Sequence, residues 1–392
     1  MDFTPLKNFL DDMARHHTPG NAIAVYLKGN LVYQYCSGYS DYENNVPLQA
    51  DELYNIYSCS KVTTVTAALQ LVEQGKCKLD DPLYDYIPEY RDMQILQADG
   101  NLVKAKNTIT LRHLFTMSAG LTYQQTTAGF QKVRELTGGR MNTLDVVRAI
   151  AADPIVFEPG THWGYSLCHD VLAGVVEVIS GLKFRDYVKK AIFEPLDMQE
   201  TCYHHTLATL ARTAQQYRFV ADDNQTTDII ALQKSGNAKH GVYQRIAKEN
   251  PFVYGEEYDS GGAGIITSVN DYAKLTAALG NQGIGITEER ILKPETIALM
   301  KTNVLNETML QDLHTWPQLA GCGYGLGVRT HMDPVASGLC CNIGEFGWGG
   351  AAGATVIADT TIGLGVFYAQ HILNPREEYY QPRLRDTVYR CL

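Results

Sequence analysis

The chain has no apolar run long enough to cross a membrane, no block of Lys or Arg, no C-x-x-C pair and no His/Cys cluster at zinc-binding spacing. Each absence excludes a class. A formal net charge of -10 without a basic stripe argues against nucleic acid and anionic membrane surfaces as partners. The missing apolar span argues against an integral membrane protein. Nine scattered cysteines, an odd number, do not form a disulfide framework or a metal set and read as reduced thiols in a cytoplasm. The first residues, Met1-Asp2-Phe3-Thr4-Pro5-Leu6, lack the basic start and apolar stretch of a secretion leader, so a cytoplasmic location is expected, unless a leader has been trimmed ahead of them. G-x-S-x-G, the elbow that presents a serine nucleophile in α/β-hydrolases, does not occur either.

What is present is ample core material. Hydrophobic residues make up 45% and charged residues 19% of 392, which is the composition of a globular protein of one large domain or two interlocked ones. An amphipathic helix is expected from Asp2 to about His16, and a hairpin from Ala22–Leu27 and Leu31–Tyr35 about Lys28-Gly29-Asn30. Helical patterns dominate from Ser58 to about Tyr203. A polar, irregular excursion over 215–258 follows, and then two helices near 269–280 and 294–300. Strand-like runs return at Tyr324–Val328, Ala354–Ala358 and Leu364–Ala369, and 375–392 reads as a closing helix. The expected fold is therefore α/β (α+β): an antiparallel sheet built from both chain ends and flanked by helices, with a large all-helical insertion. The expected division is 1–57 plus 258–392 as an α/β subdomain and 58–257 as a mainly helical one, with the active site in the cleft between them.

The chemistry concentrates at Tyr57-Ser58-Cys59-Ser60-Lys61. Val62, Val65, Leu69 and Val72 recur at helical spacing and Gly75 follows as a stop, so Ser58 and Lys61 share one face at the start of a helix with one buried face. Free N–H groups at a helix start favour an oxyanion and disfavour an ammonium, so a partly desolvated lysine there can take the serine proton. S-x-x-K is short, and it occurs a second time at Ser180-Gly181-Leu182-Lys183, where Ser-Gly reads as the end of a helix. Cys59 reads as a small buried residue, and His113, among apolar neighbours, as a structural histidine.

Several passages together, in order and over nearly the whole chain, resemble the serine hydrolases of the β-lactamase and penicillin-binding-protein fold. They are Ser58-Cys59-Ser60-Lys61, Leu79-Asp80-Asp81-Pro82, Leu111 to Leu121, Pro159 to Ser166, Pro195-Leu196-Asp197-Met198 and Gly344 to Gly350. The resemblance implies Ser58 as acylated nucleophile, Lys61 as its proton acceptor and Tyr165 as a second acid/base. It implies an oxyanion hole from the backbone N–H groups of Ser58 and Ala351. No metal and no organic cofactor is implied.

Two departures bear on substrate. Leu167 stands where the family's Y-x-N has Asn, and Trp348-Gly349-Gly350 where it has K-T-G. Losing such partners for a substrate amide and carboxylate costs roughly 1.5–3 kcal/mol each. The pair resembles the bacterial carboxylesterases of this fold, family VIII, and implies a serine esterase for small, largely neutral acyl esters. Leu167, Trp348, Gly349, Gly350 and Tyr123 are its expected substrate-binding residues. The alternatives are a β-lactamase, D-amino-acid amidase or D,D-peptidase of the same fold, or a penicillin-binding sensor that is acylated without turnover.

Overall fold

In the computed structural model, residues 1–123, 128–221, 241–373 and 375–392 are described. An eight-stranded antiparallel sheet carries strands from both ends of the chain. Gly20–Leu27 pairs with the C-terminal strand Leu364–Gln370 on one side and on the other with Asn30–Asp41, beyond which Val46–Pro47 forms the edge. The sheet then continues through Thr355–Asp359, Phe346–Gly347, Arg329–His331 and Cys322–Tyr324.

Alternation along Gly20–Leu27 divides the core. Ile23 and Val25 face the helices Thr4–His16 and Glu377–Cys391, meeting Leu6, Leu10, Met13, Leu384 and Val388. Ala22, Ala24 and Tyr26 face the opposite way, into the core shared with the helices Val269–Gly280 and Ser60–Glu73. That second face is kept small so that a helix can lie close: a Cβ on Gly365 would collide with the backbone at Thr276 and Ala277. Among the described residues no helix is long and apolar enough to cross a membrane.

Helices fill the stretch between the two sets of strands, as expected, although a short antiparallel pair, Gln94–Leu96 with Leu102–Lys104, interrupts them. Three expectations are corrected. Tyr324–Val328 is not one strand: Cys322–Tyr324 and Arg329–His331 pair with each other across a tight turn in which Gly327 adopts φ +84°, close against Val65. The 215–258 passage is not irregular throughout, since Tyr217–Ala221 pairs with Gly241–Arg245 and with Ile372–Leu373; residues 222–240 lie outside the described residues. The helix Ser60–Glu73 does not have one buried face, because every residue from Ser60 to Leu71 is buried. Its polar side chains are satisfied inside: Thr63 Oγ1 meets the Tyr272 hydroxyl at 2.9 Å, and Thr64 Oγ1 donates to the Gly261 carbonyl at 2.7 Å.

Candidate active site

The short strand Leu53–Asn55 pairs with Ile266–Ser268, and the Ile56 N–H continues the ladder to the Ile265 carbonyl at 3.1 Å. The chain then turns sharply. Tyr57 takes the left-handed conformation, φ +45°, that a bulky residue adopts only when its surroundings hold it there. Its hydroxyl donates to Gln216 Oε1 at 2.6 Å and its ring meets Phe252 edge-on. Ser58 follows in a single 3₁₀ turn, Tyr57–Cys59, which runs into the helix Ser60–Glu73.

Lys61 is wholly buried beneath this turn. Its Nζ lies 3.2 Å from Ser58 Oγ, 2.8 Å from the Tyr123 hydroxyl and 2.8 Å from the Gly262 carbonyl, and sits over the Tyr165 ring at 4.8 Å from the centroid. An ammonium has three donors, and each has an acceptor here. A neutral amine in the same place would turn its lone pair to the Ser58 hydroxyl. Burial above all, then the neighbouring Tyr165 and Asp170, holds the Tyr123 phenol well above its ordinary pKa.

Gly262 connects this lysine to a buried carboxylate. Asp170 Oδ1 accepts from the Tyr258 hydroxyl at 2.6 Å, the Ser260 hydroxyl at 2.7 Å and the Gly262 N–H at 3.1 Å. A Cβ on Gly262 would run into the Asp170 carboxylate and stand 3.2 Å from Lys61 Nζ, so only glycine leaves its carbonyl on the lysine. Gly262 thus spans the two, with its N–H on the Asp170 carboxyl group and its carbonyl on Lys61 Nζ. Asp170, Tyr258, Ser260 and Gly262 were not singled out from the sequence; the run Ser260-Gly261-Gly262-Ala263-Gly264 and an acid in the first turn of an otherwise apolar helix, Cys168–Ser180, were the available signals.

Among the described residues, neither the Ser58 nor the Ala351 backbone N–H has a hydrogen-bond acceptor. The 348–351 segment approaches the turn because residue 350 has no side chain: a Cβ on Gly350 would collide with the Ile56 carbonyl. Ser58, Tyr165, Trp348, Gly349 and Ala351 line a cavity of about 230 Å³ together with Trp316, Gln318, Leu319, Arg329, Glu377 and Gln381.

Of the residues expected from the sequence, Ser58, Lys61, Tyr123, Tyr165, Trp348, Gly349, Gly350 and Ala351 are brought together. The Tyr165 hydroxyl is met by Trp348 Nε1 at 3.2 Å, while the hydroxyl on Lys61 is that of Tyr123. Leu167 is elsewhere: it is buried beside Leu121 and Phe130, away from the Ser58 cavity, because the turn into the helix Cys168–Ser180 points it inward. Cys59 is buried with its thiol toward the Trp348 carbonyl at 3.6 Å, and burial pushes its pKa up, as suits an inert core thiol. His113 caps its own short helix, with Nδ1 accepting from the Thr110 N–H at 3.2 Å. His169, behind Lys61, is pushed down to about 3 by burial and by the lysine charge, and remains neutral. Among the described residues no group of His, Cys, Asp and Glu could hold a metal ion.

The protein-family model described as Beta-lactamase matches residues 7–389. Esterase EstB of Burkholderia gladioli is 27% identical over 395 residues, covering 97% of this chain and 93% of its own. Acyltransferase calJ of Penicillium decumbens is 28% identical over 379 residues, covering 90% and 84%. Among solved structures, EstCE1, described as a hydrolase with promiscuous acyltransferase activity, superposes with a TM-score of 0.77 at 23% identity over 98% of this chain and 97% of its own.

Proposed function

This chain belongs to the Beta-lactamase family, and from that premise we propose that it is a serine esterase that works through a covalent acyl-Ser58 intermediate. The observation that carries the proposal is the Lys61 amine shared between Ser58 Oγ and the Tyr123 hydroxyl, beside two backbone N–H groups free to receive an oxyanion. Ser58 Oγ attacks the ester carbonyl as its proton passes to Lys61 Nζ, and the tetrahedral oxyanion rests on the N–H groups of Ser58 and Ala351. Tyr165, whose hydroxyl lies on the cavity side beside Trp348, protonates the departing alkoxide. Tyr123 orients the lysine and relays its proton. Water, activated by the same lysine and phenols, then releases the acid.

An ester is favoured over a β-lactam because the Trp348-Gly349-Gly350 segment offers no cation for a substrate carboxylate, and Arg329, the one guanidinium lining the cavity among the described residues, is held on Glu345 together with Arg385. Arg329 donates to both oxygens of Glu345, at 2.7 and 2.8 Å. Similarity to an acyltransferase supports a second reading, in which an alcohol rather than water takes the acyl group from the same intermediate.

The test is the initial rate on short-chain nitrophenyl esters beside a chromogenic cephalosporin, with wild type and Ser58→Ala. Intact-mass detection of an acyl adduct accompanies it. Ester turnover lost in Ser58→Ala, with the cephalosporin slow, supports the esterase. Faster cephalosporin turnover moves the function to a β-lactamase or peptidase, and a stable adduct without turnover moves it to a sensor. Acceleration by an added alcohol, with the matching ester as product, selects acyl transfer.

A further inference from the structure

The cavity that opens from Ser58 has an unusual combination of walls. Three aromatic rings are contiguous along it: Tyr165 lies 5.1 Å from Trp316 and 5.5 Å from Trp348 between ring centroids, and the two tryptophans are 6.3 Å apart. Glu377, the first residue of the C-terminal helix, closes the same cavity. Its Oε2 accepts from the Gln318 amide at 3.1 Å, and among the described residues it forms no salt bridge. An acid in the first turn of a helix is ordinarily explained by the helix dipole. That accounts for a carboxylate at this position on the chain, but not for one turned into a substrate cavity beside two tryptophans.

Aromatic rings with a carboxylate beside them are the chemistry that recognises a compact cation, above all a quaternary ammonium. The charged neighbours do not reverse this. Arg329 lines the cavity from the strand Arg329–His331 and shares the single carboxylate of Glu345 with Arg385, at 2.5 and 3.1 Å, so this group keeps one net positive charge behind the wall, while Lys61 Nζ lies over the Tyr165 ring at the Ser58 end. Against that charge stand two carboxyl groups, Glu377 in the wall and Glu378 next to it on the helix, whose Oε1 is buried and has no hydrogen-bond partner among the described residues. Burial first, then Glu378, raises the Glu377 pKa to about 7, opposed by the Gln318 bond; a bound cation would draw that carboxyl back to its ionised form. At about 230 Å³ the cavity suits a small head group rather than a long chain.

We propose that Glu377, with Trp316 and Trp348, binds the positively charged head of the substrate, so that this enzyme prefers small esters carrying an ammonium group. The preference rests on the serine-esterase reading for its catalytic consequence, but the cation site stands independently of it. Two measurements separate them.

The first is calorimetric titration of choline against its neutral isostere 3,3-dimethylbutanol at pH 8, with wild type and Glu377→Gln. Choline is expected to bind roughly tenfold more tightly than the isostere, and Glu377→Gln to remove most of that difference. Equal binding of the two probes by wild type, or a difference that survives Glu377→Gln, overturns the cation site whether or not the protein cleaves esters. The second is kcat/KM for butyrylcholine, 3,3-dimethylbutyl butyrate and the anionic monoethyl succinate. The expected order is cationic above neutral above anionic, with the cationic-to-neutral ratio falling several-fold in Glu377→Gln. A preference for the succinate would mean that Arg329 governs the cavity and would overturn the proposal. If choline binds as expected but no ester is cleaved, the esterase reading falls and the cation site remains.

Discussion

The chain contains the same four-residue pattern twice, and the two copies have opposite fates. At Ser58–Lys61 the pattern opens a helix that is buried on every side, and the lysine ends beneath the serine with three acceptors around its amine. At Ser180–Lys183 it closes one, with Gly181 in the left-handed conformation as the cap and Lys183 turned outward to an ion pair with Glu257, both half in water. Spacing alone is therefore silent about chemistry. What sets the first copy apart is what surrounds its lysine: burial, the Ser58 and Tyr123 hydroxyls in reach, and the Gly262 carbonyl held in place by Asp170.

The comparison breaks most visibly at the two serines. Ser58→Ala is expected to lower ester kcat by on the order of a thousandfold or more, and Ser180→Ala to leave it unchanged, when both are assayed on the same nitrophenyl ester. An unchanged rate in Ser58→Ala would remove the nucleophile. At the lysines, Lys61→Met should cost about 10²–10⁴ in kcat. Lys183→Met should stay within twofold and shift stability by less than about 1 kcal/mol in urea unfolding, because its ion pair is exposed.

The counter-charges sharpen the contrast. Asp170→Asn keeps an oxygen for Tyr258, Ser260 and Gly262 but removes the charge behind Lys61. A roughly tenfold or larger fall in kcat is the expected result, because the network that places the Gly262 carbonyl on Lys61 is weakened. Glu257→Gln, the equivalent change at the other copy, should leave kcat in place. The smallest effects belong to the glycines. Gly262→Ala forces a methyl group against the Asp170 carboxylate and should destabilise by about 1–3 kcal/mol while lowering activity. Gly181→Ala meets open space, so that only its left-handed φ of +71° is penalised, by about 1 kcal/mol and without loss of activity. Thermal melts and rates of the two variants side by side decide this pair.

The sequence was sufficient where local rules and tertiary demands agree. The hairpin about Gly29, the helix near Thr4–His16 and the C-terminal helix follow from period and turn residues, and burial of their apolar faces is what the sheet requires. It misled where tertiary contacts replaced water. Thr63, Thr64 and Thr66 give the helix Ser60–Glu73 a polar-looking face, yet Tyr272, Gly261 and the helix's own Val62 carbonyl satisfy them inside the core. The 215–258 stretch read as irregular because its strand Tyr217–Ala221 gains a partner from Ile372–Leu373, about 150 residues further on.

Sequence by itself determined the family resemblance, the S-x-x-K pair, Tyr165 and the Trp348-Gly349-Gly350 segment, because these residues stand in short motifs whose order survives in one dimension. Only the tertiary structure decided that Tyr123 holds the lysine, that Leu167 turns into the core, that Asp170 anchors Gly262 and that Glu377 faces the cavity. Those roles depend on approach between segments up to about 320 residues apart, from Ser58 to Glu377. Distances of that kind are set by sheet closure and core packing, and no local pattern records them.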